Sequence, residues 1–193
     1  MIYRNVLSAV VSVLAAECID NTSKQAWQRL VGDDVRPAGG GMSADDRALL
    51  DCWAHARLHA QLSPSHWNVL VAKYSTHKGR KVQAAGKLTA MVVTPAPKLF
   101  LSYAVYAWAI PKLKGVTGRR DDSVLVLPDR CYDMNAWDTE ARPERTRRRW
   151  RGDIFRALSD IENEALACAE DILGSEGLLP LSHDYMYSKA VSS

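Results

Sequence analysis

The stretch from Pro143 to Leu173 reads PERTRRRWRGDIFRALSDIENEALACAEDIL and decides the fold class of this chain. Its apolar residues recur every three or four positions, which is the period of an α-helix with one buried face. They are Trp150, Ile154, Leu158, Ile161, Ala165, Cys168 and Ile172. Asp138 or Thr139 can cap the approach to this helix, and Gly174 and Gly177 end it. The sequence therefore predicts a helix of about 31 residues, roughly 46 Å long at 1.5 Å per residue.

Helical periods also precede this stretch. They predict helices over residues 3–19 and 23–31. A helix from Ser43 to about Leu62 begins with Asp45 and Asp46, acids that suit the positive end of a helix dipole. Its predicted inward side chains are Leu49, Trp53, Ala56 and Ala60. Ser63-Pro64 opens the next helix, with Trp67, Leu70, Val71 and Tyr74 on its apolar face, and a short basic helix follows over residues 78–89.

Three segments lack such a pattern. Residues 32–42 are rich in glycine and predict an exposed linker. Residues 91–141 carry several prolines and predict an insertion of irregular structure, although the aromatic stretch Leu99–Ile110 inside it suits either a buried helix or a strand. Residues 181–193 predict a frayed tail. The chain as a whole, residues 1–193, is predicted to be a single, mostly α-helical domain.

Length and composition place the chain among ordinary globular proteins. It has 193 residues, of which 47% are hydrophobic and 24% charged. It contains no run of about 18 uncharged apolar residues, so we expect no membrane-spanning helix. Its four cysteines are far apart in sequence and form no zinc-binding pattern, which favours reduced thiols in a cytoplasmic protein.

The net charge of +3 conceals a strong segregation of charge along the chain. Residues 52–120 contain eleven Lys and Arg but no Asp or Glu, whereas an even spread of the 22 acids would place about eight there. Residues 142–156 contain seven arginines and only two acids. Such polarity predicts that one surface binds a polyanion and that another is left for protein partners. We expect the two basic blocks to meet in space as one cradle for a nucleic acid backbone.

Ten residues are candidates for DNA binding. A helix, a short turn and a second basic helix between Ser63 and Thr89 have the form of a helix-turn-helix. The first turns of the long helix are rich in arginine, whose planar fork suits phosphates and guanine edges. The expected phosphate contacts are Lys78, Arg80, Lys81, Arg142, Arg147 and Arg151, and the expected base contacts are Arg145, Thr146, Arg148 and Arg149.

The chain also resembles the phage Q-type transcription antiterminators. The resemblance covers roughly residues 44–90 and 139–173. It is carried by Asp45-Asp46, Cys52, Ala56-Arg57-Leu58, Leu70-Val71, Tyr74, the basic short helix, and the arginine-rich helix that ends in Asp160-Ile161-Glu162. It implies a helix-turn-helix similar to that of sigma region 4, interrupted by residues 91–141. The recognition helix then begins near Arg142, or else lies near Lys78–Lys87.

The family's mechanism supplies the expected partners. A Q-type factor binds double-stranded DNA near a promoter, engages a paused RNA polymerase and its sigma factor, and narrows the RNA exit channel. Terminator hairpins then fail to form, and the nascent RNA becomes a further possible partner. The resemblance implies no enzymatic activity and no cofactor.

Other functions remain open on the sequence alone. A helix-turn-helix activator or repressor that acts only at initiation would have the same basic helices. Asp51, His55 and His59 share a helical spacing that could hold a metal in a nuclease. The aromatic residues Tyr103, Tyr106 and Trp108 could stack on RNA bases, but their apolar neighbours favour burial. No P-loop, dinucleotide-binding motif or nucleophile elbow occurs.

Overall fold

The computed structural model describes residues 2–16, 43–112 and 127–180. In these ranges the chain forms six α-helices and no strand, so the mostly α fold is confirmed. The helices are α1 (Val6–Ala16), α2 (Ala44–Gln61), α3 (Pro64–Tyr74), α4 (Lys78–Thr89), α5 (Lys98–Ala109) and α6 (Glu144–Ser175), with 3₁₀ turns at Asp129–Cys131 and Met134–Trp137. The helix predicted over residues 23–31, the linker 32–42 and the tail 181–193 lie outside the described residues.

The chain divides into two compact units, where the sequence predicts a single domain. One comprises residues 1–62 and 166–193, and the other comprises residues 63–165. The first contains seven Lys and Arg against eleven Asp and Glu, and the second contains eighteen against eleven. We call them the acidic unit and the basic unit, since their numbers of acids are equal and their Lys and Arg are concentrated in the second.

A buried carboxylate ties the acidic unit together. The Asp51 side chain on α2 is buried and accepts hydrogen bonds from the Tyr3 hydroxyl and, at 2.9 Å, from Ser12 Oγ on α1. A buried carboxylate is costly unless it is hydrogen-bonded, so these contacts select the face of α2 that packs on α1. Burial, and then the bond to Asp51, raise the pKa of Tyr3. The backbone N–H groups of Ile2 and Tyr3 donate to the Leu178 carbonyl oxygen.

The orientation of α2 contradicts the sequence prediction. The side chains predicted to point inward, Leu49, Trp53, Ala56 and Ala60, are all exposed. The buried positions of α2 are Asp51, Ala54 and Leu58, half a turn away around the helix. Both sets have helical spacing, so periodicity could not separate them, and the bonds to Asp51 decide between them. We call the exposed set the outer stripe.

The basic unit is built around α5. Helix α4 packs on both α3 and α5, and the 3₁₀ turns pack on α5. The Phe100 ring of α5 meets Trp137 edge-on at 5.3 Å and Trp150 edge-on at 5.6 Å between centroids. The expected irregular insertion is therefore wrong for residues 98–109, because this aromatic stretch is a helix that forms the core.

Helix α6 closely follows the sequence prediction. It begins one residue after Pro143 and ends at Ser175, and Trp150, Ile154, Leu158 and Ala165 are buried as expected. Near its end Ala169 and Leu173 are buried, whereas the predicted Cys168 and Ile172 are only half-buried. The Asp138 carboxylate accepts hydrogen bonds from the N–H groups of Glu140 and Arg142 just before the helix. Gly177, with a positive φ of 70°, follows its end.

Among the described residues, no helix is both long enough and apolar enough to cross a membrane.

The two leucines of α2 provide a direct test of its orientation. We expect Leu58→Ala to lower the free energy of unfolding by about 2–5 kcal/mol, because Leu58 is buried and its loss leaves a cavity. Leu49→Ala, in the same helix but exposed, should change it by no more than about 0.5 kcal/mol. Chemical denaturation of both variants measures the difference, and equal losses would contradict the observed burial.

Candidate nucleic-acid interface

Four arginines of α6 share one solvent-exposed face. Successive residues of a helix are about 100° apart, which places Arg145, Arg148, Arg149 and Arg156 on the side opposite the buried Trp150, Ile154 and Leu158. Gly152 lies in the middle of this set. We call these four arginines and Gly152 the arginine face. Arg156 was not among the sequence candidates, although its spacing from Arg149 and Gly152 could have identified it.

Aromatic packing holds the arginine face outward. Trp150 lies against Phe100, so the first turns of α6 are anchored on α5 by their inner side. Arg142 lies 5.3 Å from the Trp150 ring centroid, and Arg151 lies 4.9 Å from that of Phe155. These cations cover the aromatic cluster at the beginning of the helix and add attraction to the ring faces.

Three predicted phosphate contacts have partners within the basic unit. Arg142 pairs with Glu140 as well as lying over Trp150. Arg147 is half-buried: its Nη1 donates to Asn135 Oδ1 at 2.9 Å, and its buried Nε has no hydrogen-bond partner among the residues that the structure describes. Arg151 lies over both Phe155 and Trp137. Arg147 is therefore the one of the three that is withdrawn from solvent, whereas Arg142 and Arg151 remain exposed while their guanidinium groups lie over aromatic rings.

The ion pairs on the arginine face are weak competitors for an external anion. Arg148 contacts Glu144 at 2.6 Å, and Asp153 contacts Arg156 at 3.4 Å and Arg149 at 3.8 Å. Each of these side chains is more than half exposed, and exposed pairs one helical turn apart contribute only about 0.3–0.5 kcal/mol. Arg145 has no ion pair with any residue that the structure describes. A phosphate can therefore displace or join these contacts at little cost.

A cleft of about 500 Å³ adjoins the arginine face. It is lined by Pro95, Arg145, Thr146, Arg149, Trp150 and Asp153. Thr146, a predicted base contact, is half-buried in the wall of this cleft. The Arg145 and Arg149 guanidinium groups attract an anion to the cleft. The Asp153 carboxylate repels it, so an anion is favoured on the side away from Asp153.

A three-residue connection, Ser75–His77, joins α3 and α4, where the sequence predicts a helix-turn-helix. Turns of three or four residues occur in that motif and also in other helical hairpins. Ser75 is buried, and its Oγ accepts from the His77 N–H at 3.1 Å. His77 caps α4, since its Nδ1 accepts from the Arg80 N–H at 3.2 Å. The turn is thus fixed by its own side chains.

The basic residues of α4 differ in accessibility. Arg80 is exposed and Lys78 is half-buried. The Lys81 ammonium donates to the Lys73 carbonyl at 2.9 Å, and burial followed by the nearby Lys73 charge lowers the pKa of Lys81. Of the three predicted contacts here, Lys81 therefore serves mainly to close the end of α3, and Arg80 is the most accessible to a ligand.

The two basic clusters share one unit but do not merge. Lys81 is bonded to Lys73, whose ammonium lies 3.6 Å from Glu162 of α6 and 4.1 Å from the Trp108 ring centroid. Glu162 is six residues beyond Arg156, the last member of the arginine face, and seventeen beyond Arg145, which is about 9 Å and about 25 Å along the helix. These distances correspond to roughly three and seven base pairs at 3.4 Å each. The clusters would contact one nucleic acid at two neighbouring positions.

The other sequence candidates have structural surroundings of their own. Asp51 is engaged by Tyr3 and Ser12, and no group of three potential metal ligands occurs among the described residues. The His55 and His59 rings are parallel at 6.3 Å. Trp108 is buried and donates to Ser159 Oγ at 3.3 Å, while Tyr103 is stacked on Trp137. Tyr106 is half-buried. These contacts favour structural roles for Trp108 and Tyr103.

Comparison of the chain with protein-family models, curated proteins and solved structures gives no match.

Proposed function

We propose that the chain is a DNA-binding transcription antitermination factor that contacts DNA through the arginine face of α6. One observation carries the DNA-binding part: Arg145, Arg148, Arg149 and Arg156 share the solvent side of a helix whose other side is packed on Phe100. Rigid anchoring matters, because a preformed cationic surface loses little conformational entropy when it binds a polyanion.

The dimensions and chemistry of this face favour double-stranded DNA. The face extends about 16 Å along the helix axis from Arg145 to Arg156. The major groove of B-DNA is wide enough to admit an α-helix. Guanidinium groups can bind phosphates or make bidentate contacts to guanine. Arg80, which is exposed on α4, supplies a second contact to the phosphate backbone of the same DNA.

Gly152 adds an independent argument for a close-fitting ligand. Glycine in a helix interior costs about 1 kcal/mol relative to alanine. A Cβ at this position would meet nothing within 4 Å, so packing in the described structure gives no reason for a glycine. A nucleic acid backbone lying against the centre of the arginine face would supply that reason.

The antitermination part of the proposal rests on the resemblance to Q-type factors and on the division of charge. The basic unit would hold promoter-proximal DNA, and the acidic unit would be available to RNA polymerase and its sigma factor. The long helix would supply the region that corresponds to the recognition helix. In this proposal the factor is cytoplasmic and non-enzymatic, and the nascent RNA passes through a channel that it narrows.

We expect Arg148→Ala and Arg149→Ala each to weaken specific DNA binding by about 1–3 kcal/mol, because each removes a potential base contact. Arg130→Ala is the control, because it removes the same charge from an exposed position. Arg130 lies near the other end of α5, where the Tyr132 hydroxyl donates to the Ile110 carbonyl oxygen. Fluorescence anisotropy over a salt series measures both affinity and salt dependence. Wild-type binding by both arginine variants would remove α6 as the recognition helix.

Gly152→Ala should separate folding from binding. We expect the substitution to raise the free energy of unfolding by up to about 1 kcal/mol, because alanine favours the helix more than glycine does. Its DNA affinity should fall several-fold if a backbone lies against residue 152. Gly174→Ala, near the end of the same helix and equally uncrowded, is the control for the added methyl group. A stabilised variant with unchanged affinity would refute the close contact.

Transcription through a distant terminator tests the antitermination part. With a promoter that carries the binding site, we expect the factor to increase readthrough at a terminator hundreds of base pairs downstream, in a reaction with purified RNA polymerase holoenzyme. An effect confined to the number of initiated transcripts would instead identify an activator or repressor. The Arg148→Ala variant controls for dependence on DNA binding.

A further inference from the structure

The outer stripe of α2 is an apolar face that the described fold leaves exposed. Leu49 is 52% exposed and Trp53 is 40% exposed, although Ala54 and Leu58 on the opposite side of the same helix are completely buried. Large exposed side chains at helical spacing are a feature of protein contact sites. The helix thus has one face packed in its own unit and a second, partly apolar face that is exposed.

Size and charge both change along the outer stripe. Its first half carries the large Leu49 and Trp53, and its second half carries the small Ala56 and Ala60. The first turn carries the acids Asp45 and Asp46, with Arg47 beside them. Arg57 lies toward the other end, where its guanidinium is 5.3 Å from the Trp53 ring centroid and pairs with Glu176 at 3.0 Å.

We propose that this stripe pairs antiparallel with the same stripe of a second copy of the chain. Antiparallel pairing puts Trp53 opposite Ala56 of the partner subunit and Leu49 opposite Ala60 of the partner subunit, so that each large side chain meets a small one. It also turns Asp45 and Asp46 of each helix toward the end of the other helix that carries Arg57. A two-fold contact of this kind is self-complementary, since both copies supply the same residues.

Other occupants fit the stripe less well. The acids at its beginning and the overall charge of the acidic unit repel nucleic acid. A parallel pairing would put Trp53 against Trp53 and acid against acid. One helical stripe buries less area than a standard interface, so the dimer is weak and depends on protein concentration.

Sedimentation velocity tests the proposal on the full chain without DNA, independently of the proposed function. Over roughly a hundredfold range of concentration, the wild type should shift from monomer toward dimer. Leu49→Ser and Trp53→Ser should weaken dimerisation at least tenfold. Leu99→Ser is the matched control, because Leu99 is 45% exposed on α5 of the other unit, and it should leave dimerisation unchanged.

A size swap tests the antiparallel register. Trp53→Ala and Ala56→Trp should each impair dimerisation, the first by removing the large group and the second by opposing two tryptophans. The double variant again places a large side chain opposite a small one, with the two positions exchanged. It should therefore recover most of the dimer. Failure of the double variant to recover, while each single variant remains folded by circular dichroism, would overturn the register and with it the proposal.

Three further results would overturn the pairing. One is a wild type that stays monomeric at every concentration. Another is a dimer that is insensitive to Trp53→Ser, which would place the interface elsewhere. The third is a lower unfolding midpoint of monomeric Trp53→Ser, which would show that the stripe packs within its own chain.

Discussion

The edge-on contacts of Phe100 with Trp137 and Trp150 fix the direction in which the arginines of α6 point. Burial of Trp150 against α5 sets the rotation of the long helix about its own axis. Once that rotation is set, the helical period turns Arg145, Arg148, Arg149 and Arg156 toward solvent. The candidate DNA surface is therefore a consequence of core packing. Aromatic pairs in this geometry also add about 0.5–1.5 kcal/mol beyond the area they bury.

The same cluster explains why neighbouring arginines differ in role. Arg142 and Arg151 lie over aromatic rings, and Arg147 reaches back to Asn135. Arg148 and Arg149, which lie between Arg147 and Arg151 in sequence, point away and make only exposed pairs. The helix thus divides a run of arginines into cations that contact side chains of the basic unit and cations that point to solvent.

Charge is organised at the level of the two units. The basic unit carries the candidate DNA contacts, and the acidic unit carries the apolar outer stripe of α2. The proposed DNA binding and the proposed self-association use different parts of the chain. Each proposal can therefore fail without the other.

By itself, the sequence determined that the chain is mostly helical. It also determined the bounds of α6 and of α4 to within about two residues, because periodicity and capping residues are local properties. It could not orient α2, since two apolar stripes share the helical period and only the bonds from Tyr3 and Ser12 to Asp51 choose between them. Nor could it show that Leu99–Ile110 is a core helix, because short aromatic runs suit strands equally well. Which arginines are accessible was decided by tertiary packing, since accessibility depends on contacts between residues far apart in the chain.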